Sequence, residues 1–252
     1  QNKNSLKDLT VRRHPWAPGE YLTCDLFGPL LRSVGGARYA AIYVDLKSRF
    51  VYVKMLKTKD DNYQAMVEVI VDAKARSGNE MRFLKTDGDG IFVSSTANDI
   101  YKKYKIRHIL SAPGDSASND VVERTIRTFA ELTRANLLHA NAPAYFWAEA
   151  MGYVEYVWNY VPALPNPSDK TKTLSRTSLL EGTQREYKLD HLRAFGSKCH
   201  YLLTVQKKGG KKEAVQEKGR KAILMGIENN MPACIVCGTL FSARCIISRS
   251  RS

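Results

Sequence analysis

Phe83-Leu84-Lys85-Thr86-Asp87 and, further along, Asn119-Asp120-Val121-Val122-Glu123-Arg124 decide the fold between them. The first is an apolar run that steps to an acid, the pattern of a buried strand with an aspartate at its tip. The second opens a helix and carries a glutamate. Between Asp87 and Glu123 lie 35 residues. Upstream, Tyr21-Leu22-Thr23-Cys24-Asp25-Leu26 puts a third carboxylate, Asp25, inside another strand-like run. A strand Asp, a strand-end Asp and a helix Glu, in that order, can hold two divalent cations against a phosphodiester.

Working outward, three strand patterns come first, over residues 20–26, 37–46 and 50–56, with Gly28-Pro29, Gly35-Gly36 and Lys47-Ser48 as breaks. Tyrosine, valine and isoleucine enrichment and short breaks predict hairpin connections. Asp60 is expected to cap a helix to about Arg76, with Tyr63, Met66, Val67, Ile70 and Val71 at helical spacing and Gly78 as its stop. Residues 81–87 form the fourth strand, and the helical crossover before it predicts parallel pairing. A helix over 96–104 and a strand over 106–110 complete an α/β fold, a mixed five-stranded sheet with helices on both faces. On the helix opening near Asn119, the 100° step places Asn119, Arg127, Ala130 and Arg134 on the stripe of Glu123. Val121, Val122, Ile126, Phe129 and Leu132 are expected to face the core. Pro143 opens a last helix that reaches about Tyr160.

The divisions follow composition. Residues 1–18 read as a basic linker, 19–160 as the core, 161–190 as an extended connector broken by Pro162, Pro165 and Pro167, and 191–252 as a basic, β-rich extension. The net charge of +14 is the electrostatic footprint of a polyanion binder. It is concentrated around Lys207, Lys208, Lys211 and Lys212, which are candidate contacts to DNA phosphates. No run of 18 or more apolar residues exists, so no membrane-spanning helix is expected, and no secretory signal pattern opens the chain. It starts at Gln1, as expected of a piece of a polyprotein. Five cysteines over this length make no disulfide framework. Cys234-Ile235-Val236-Cys237 with Cys245 resembles half a zinc site, but no second CxxC follows, so buried thiols are expected.

Several blocks carry a family likeness in a fixed order. They are Asp25-Leu26-Phe27-Gly28-Pro29, Tyr43-Val44-Asp45 through Ser48-Arg49, Leu84-Lys85-Thr86-Asp87-Gly88 and Ser111-Ala112-Pro113. Asn119 through Arg127-Thr128, Phe146-Trp147-Ala148-Glu149-Ala150 and His191-Leu192-Arg193-Ala194-Phe195-Gly196 follow. In these the chain resembles the integrases of copia-type LTR retrotransposons, within the retroviral-integrase-like DDE group. That resemblance implies a ribonuclease-H-like fold with Asp25, Asp87 and Glu123 as the catalytic, metal-holding triad. Two Mg²⁺ (or Mn²⁺) ions are implied with DNA bound, Asp25 bridging both. The implied reaction joins the 3′-hydroxyl of element DNA to a phosphodiester of target DNA. Double-stranded DNA and further copies of the chain are the implied partners, and the nucleus, after assembly in cytoplasmic particles, is the implied location. A His/Cys zinc-binding module lies upstream in the family; here His14 is the only histidine or cysteine before Cys24.

The chain also departs from the pattern. Asn119-Asp120 stands for Asn-Gly, Gly88-Asp89-Gly90 for Asn-Gly-Gly, and residues 114–118 lack the usual Tyr-Thr-Pro-Gln-Gln. These changes favour an alternative, a catalytically decayed or domesticated DNA-binding module. Asp45, Asp89 and Asp120 are rival carboxylates, and Glu68 would be the helix acid of a ribonuclease H hydrolase.

Overall fold

The computed structural model describes residues 15–111, 116–166, 168, 172–202, 219–228, 231–236, 239–242 and 245–246, with the side chains of 116–120, 200–202, 219–221 and 228–246 outside that description. Strands β1 (Tyr21–Phe27), β2 (Tyr39–Asp45) and β3 (Val51–Leu56) form an antiparallel meander. Helix α1 (Asn62–Ser77) crosses over to β4 (Phe83–Thr86), which lies parallel to β1. A single turn, α2 (Gly90–Val93), and α3 (Ser95–Tyr104) lead to β5 (Arg107–Leu110), parallel to β4. The sheet order is β3-β2-β1-β4-β5, the mixed five-stranded sheet expected from the sequence. Two helices follow: α4 (Ser116–His139) and, after a 3₁₀ turn at Ala144–Phe146, α5 (Trp147–Tyr160).

Both faces of the sheet are covered, and strand alternation sorts the core into two layers. Leu22, Cys24, Ala41 and Tyr43 point into the layer under α1 to α3, with Met66, Val69 and Ile70. Ala40, Ile42 and Val44 point the other way, against Val122 and Phe129 of α4 and Trp147, Met151 and Val154 of α5. Phe27 packs on this second layer, so Asp25, two residues before it, shares the α4 side.

Edge strand β3 is closed by side chains rather than by another strand. Asn159 of α5 accepts the Val51 N–H (3.0 Å) and donates to its carbonyl (2.7 Å), and Glu155 accepts the Val53 N–H (3.0 Å). One helical turn on α5 thus matches two residues of strand, and the edge has no free donor there to template a foreign strand.

Beyond α5 the expected connector is not merely extended. A two-residue ladder of β6 (Leu164–Pro165) and β7 (Thr173–Leu174) leads into a packed turn, α6 (Arg176–Leu180). Arg176 and Thr177 donate to the last carbonyls of α5, at Trp158 (2.6 Å) and Asn159 (2.9 Å), which that helix cannot satisfy itself. A second five-stranded sheet follows, built from β8 (Lys198–Leu202), β9 (Gly219–Glu228), β10 (Met231–Val236), β11 (Thr239–Ser242) and β12 (Cys245–Ile246). Its order is β11-β10-β9-β8-β12. Phe195 and Met225 anchor it on Ala150 and Tyr153 of α5.

Three local expectations need correction. Asp61, not Asp60, precedes α1, and its carboxylate accepts the Lys57 and Thr58 N–H groups (2.9 Å each) instead of capping the helix. Val71 is exposed, because the buried stripe of α1 runs through Ala65, Met66, Val69, Ile70 and Ala73. Leu132 is also exposed, while Thr125 and Thr133 of α4 are buried. Thr125 can be buried because its hydroxyl returns a hydrogen bond to the Val121 carbonyl (2.7 Å).

Candidate active site

The site grows from the middle of the sheet. In the parallel pairing of β1 with β4, Tyr21 faces Phe83, Leu22 faces Leu84 and Thr23 faces Lys85. Continued by two residues, this register sets Asp25 beside Asp87, the first residue past β4. The carboxylate of Asp25 accepts its neighbour's N–H, from Leu26 (2.7 Å). Burial pushes the Asp25 carboxyl up to about 6; the Leu26 N–H opposes this, and the charges of Asp87, Glu123 and Asp89 add to it. Asp25 therefore feels both of the other acids singled out from the sequence.

Asp87 leaves β4 where its ladder stops, and its Oδ1 accepts the Asp89 N–H (3.1 Å). Glu123 lies on the exposed side of α4, opposite the Val122 and Phe129 positions that hold this helix to the sheet. Arg127 and Arg134 are exposed on that same stripe. Asn119 belongs to α4 by its backbone, but its side chain lies outside the described residues, as does that of Asp120. Lys207, Lys208, Lys211 and Lys212 also fall outside them.

The rival acids are otherwise engaged. Asp45 is sealed at the far end of β2, where it accepts from Gly19 N–H (2.9 Å), Ser48 N–H (2.7 Å) and Ser48 Oγ (2.6 Å). Asp89 caps α2 by accepting from Ile91 N–H and pairs with Lys59, which holds its carboxyl below the usual range. Glu68, on α1, pairs with Lys54 (2.8 Å) across the opposite face. The Asp89–Lys59 pair was not legible in the sequence: 29 residues separate the partners, and only the turn after β3 brings them together.

Three carboxylates supply only oxygen, the donor type that Mg²⁺ and Mn²⁺ accept. Among the described residues, no three His, Cys, Asp or Glu side chains approach closely enough to enclose an ion by themselves. The charges of Asp87 and Glu123 both act on Asp25, and a cation bound beside Asp25 would offset that repulsion. The donor chemistry thus fits a divalent ion whose remaining positions are filled by water and phosphate. Cys24, next to Asp25, is buried on the opposite layer and its thiol is pushed up by that burial, so it is no rival nucleophile. Among the described residues no helix is long and apolar enough to cross a membrane.

Comparison with known proteins bears on this geometry. The chain is 30% identical over 176 residues to the retrovirus-related Pol polyprotein from transposon TNT 1-94 of Nicotiana tabacum, a match over 69% of this chain and 13% of that polyprotein. It is 26% identical over 236 residues to the Pol polyprotein from transposon RE1 of Arabidopsis thaliana, over 92% of this chain and 15% of that one. The chain thus spans about a seventh of the length of these relatives. No protein-family model matches it. Among solved structures, a chain of the simian T-cell lymphotropic virus intasome in complex with the PP2A regulatory subunit B56 gamma superposes over 94% of this chain and 79% of that one. The TM-score is 0.53 at 16% identity, a likeness of fold. The chain is thus homologous to a part of the retrovirus-related Pol polyproteins of plant retrotransposons, and its fold is a mixed five-stranded sheet of the ribonuclease-H-like class.

Proposed function

We propose that this core is a metal-dependent polynucleotidyl transferase that joins the 3′-hydroxyl ends of retrotransposon DNA to phosphodiesters of target DNA. The observation that carries this reading is Asp25: a carboxylate part-buried in mid-sheet, in the field of Asp87 and Glu123. A divalent ion held by Asp25, Asp87 and Glu123 would supply Lewis-acid stabilisation of the attacking and leaving oxygens. The chain's own residues do the rest. Asp25 on β1 and Asp87 just past the end of the adjacent parallel strand β4 set where the reacting phosphate lies. Glu123 closes the site from α4, whose inner face is committed to the core. Arg127 and Arg134 line the path a DNA strand takes beside Glu123 and offer charge-assisted bonds to its phosphates. Lys207, Lys208, Lys211, Lys212 and Asn119 are proposed as further DNA contacts on sequence and charge alone. Further copies of the chain, and a nuclear setting, complete the proposal.

The test is strand transfer from a pre-cut duplex end with Mg²⁺ or Mn²⁺. The reading expects joined products from the wild type and none above background from Asp25→Asn, Asp87→Asn or Glu123→Gln. DNA binding without joining in the wild type, on a folded protein, would instead support the domesticated DNA-binding module that the altered 114–120 run favours.

A further inference from the structure

Thr86, the last residue of β4, is fully buried and hydrogen-bonded on two sides. Its hydroxyl lies 2.8 Å from the carbonyl oxygen of Asp87 and 2.8 Å from Nε2 of His108. Its own carbonyl accepts from the Ser111 N–H (3.0 Å) and the Ser111 hydroxyl (3.1 Å). A hydroxyl has one proton to give, and a carbonyl can only accept. The Thr86 proton therefore goes to the Asp87 carbonyl, and His108 must reach the threonine oxygen as a donor. This fixes Nε2 as a protonated nitrogen of the ring. His108 sits on β5, opposite Leu84, and stacks on Tyr101 with ring centroids 4.6 Å apart and an interplanar angle of 23°. Tyr101 is itself pinned, its hydroxyl donating to the Phe92 carbonyl (3.1 Å).

Where this chain of bonds ends gives it meaning. The β1–β4 pairing stops at Lys85 and the β4–β5 pairing at Thr86, so the Asp87 peptide has no strand ladder on either side. Its carbonyl is held by Thr86 and its carboxylate by the Asp89 N–H. A residue that merely satisfied a core threonine would leave Asp87 indifferent. Here the threonine hydroxyl points onward to Asp87, and the imidazole orients that hydroxyl.

We propose that His108 is a positioning residue: through the Thr86 hydroxyl it fixes the backbone of Asp87, and so the direction in which the Asp87 carboxylate meets a divalent ion. The inference rests on the proposed metal-holding role of Asp87 and goes beyond it. His108 touches neither substrate nor ion. Residues that orient ligands from behind commonly affect metal affinity about 10–100-fold.

Mn²⁺ binding to the full chain, followed without DNA by calorimetry and by the electron paramagnetic resonance of free Mn²⁺, separates the alternatives. His108→Phe keeps the stack on Tyr101 and removes the donor; Thr86→Val keeps the shape and removes the relay. Each is expected to weaken Mn²⁺ binding about tenfold. The double variant is expected to be no weaker than either alone, because both cut one path. His108→Gln and Thr86→Ser, which restore a donor and a hydroxyl, are expected to recover binding to within about threefold of wild type, a small part of the 10–100-fold range. A change below about twofold in both His108→Phe and Thr86→Val, with Asp87→Asn still abolishing binding, would overturn the positioning role and leave the carboxylate site intact. Additive losses in the double variant, or no rescue by glutamine and serine, would overturn it as well. Mn²⁺ binding indifferent to Asp87→Asn would overturn both this inference and the metal role of Asp87. Should His108→Phe lower the melting temperature enough to confound binding, the near-isosteric Thr86→Val decides.

Discussion

Two carboxylic acids in this molecule, Asp25 on β1 and Glu155 on α5, are both pushed well above the usual range by burial, to about 6 and about 7. Their neighbours differ in sign. Beyond the Leu26 N–H, Asp25 is surrounded by Asp87, Glu123 and Asp89, all of which raise it further. Glu155 is held by the Val53 N–H and faces Lys54 and Arg76, which pull it back, against Asp72 alone. The first group gathers negative charge that only a cation would relieve; the second completes the hydrogen bonds of a sheet edge. A displaced carboxyl alone therefore does not mark a catalytic site. The sign of what surrounds it does.

The hardest way to break this contrast is to neutralise each acid in turn. Asp25→Asn is expected to lower strand transfer on the order of a thousandfold, equivalent to about 4 kcal/mol. Glu155→Gln is expected to stay within about threefold, under 1 kcal/mol on the same scale. Comparable losses in both variants, measured with pre-cut ends on proteins of equal melting temperature, would erase the distinction.

Next comes the structural half of the comparison. Asn159 is buried and holds both outward polar groups of Val51, which is itself inaccessible. Asn159→Ala leaves that donor and acceptor without partners in the interior, at a cost of about 2–4 kcal/mol. Denaturant unfolding should show it as a lowered midpoint. A loss under about 0.5 kcal/mol, the level of an ordinary surface change, would mean that the β3 edge does not depend on its helix-borne caps.

The pH dependence sharpens the contrast further. A carboxyl whose folded value lies above its unfolded one binds more protons in the native state, so its contribution to stability falls as pH rises between the two values. For Glu155 the window runs from about 4, the unfolded value, to about 7. Glu155→Gln stays neutral and offers Val53 the same pairing that Asn159 gives Val51. It should flatten that fall and gain about 1–2 kcal/mol at pH 8. For Asp25 the window closes at about 6. Asp25→Asn should gain only about 1 kcal/mol in metal-free buffer, once solvent screening of this half-exposed group is discounted. Stability curves at several pH values check both, and steeper curves in the variants would reverse the assigned sign.

What the sequence made legible follows the same division. The sheet and its two helical layers were readable because β1 and β2 alternate cleanly, and because α4 carries an apolar stripe through Val122 and Phe129. Asp25 and Asp87 stood out as acids in or just past apolar strands. The edge caps were not legible: Asn159 and Glu155 lie more than a hundred residues from the strand they close, and no local pattern announces a side chain acting as a neighbouring strand. Neither was α6, where Pro162, Pro165 and Pro167 suggested extended chain while Arg176 and Thr177 were destined for the open end of α5. Leu132, expected in the core, is exposed while the adjacent Thr133 is buried, because the packed face of α4 follows its helical phase against the sheet rather than hydrophobicity alone.

The smallest expected effect concerns the charge outside the acid cluster. Arg134 lies three turns beyond Glu123 on the exposed stripe of α4, and the described structure gives it no ion pair or side-chain hydrogen bond. If DNA passes beside Glu123, a guanidinium there meets phosphate oxygens and stabilises the complex without reading bases. Arg134→Ala is expected to weaken duplex binding a few-fold, to lower the slope of log K against log salt by about 0.9, and to do so equally for unrelated target sequences. The melting temperature should move little, since the position is exposed and the opposite face of α4 carries the packing. The same substitution tests the contrast from outside: a solvated cation influences the acid cluster only through the DNA it binds. An unchanged salt slope would place Arg134 with ordinary surface charges, and a loss confined to one target sequence would give it a base-reading role instead.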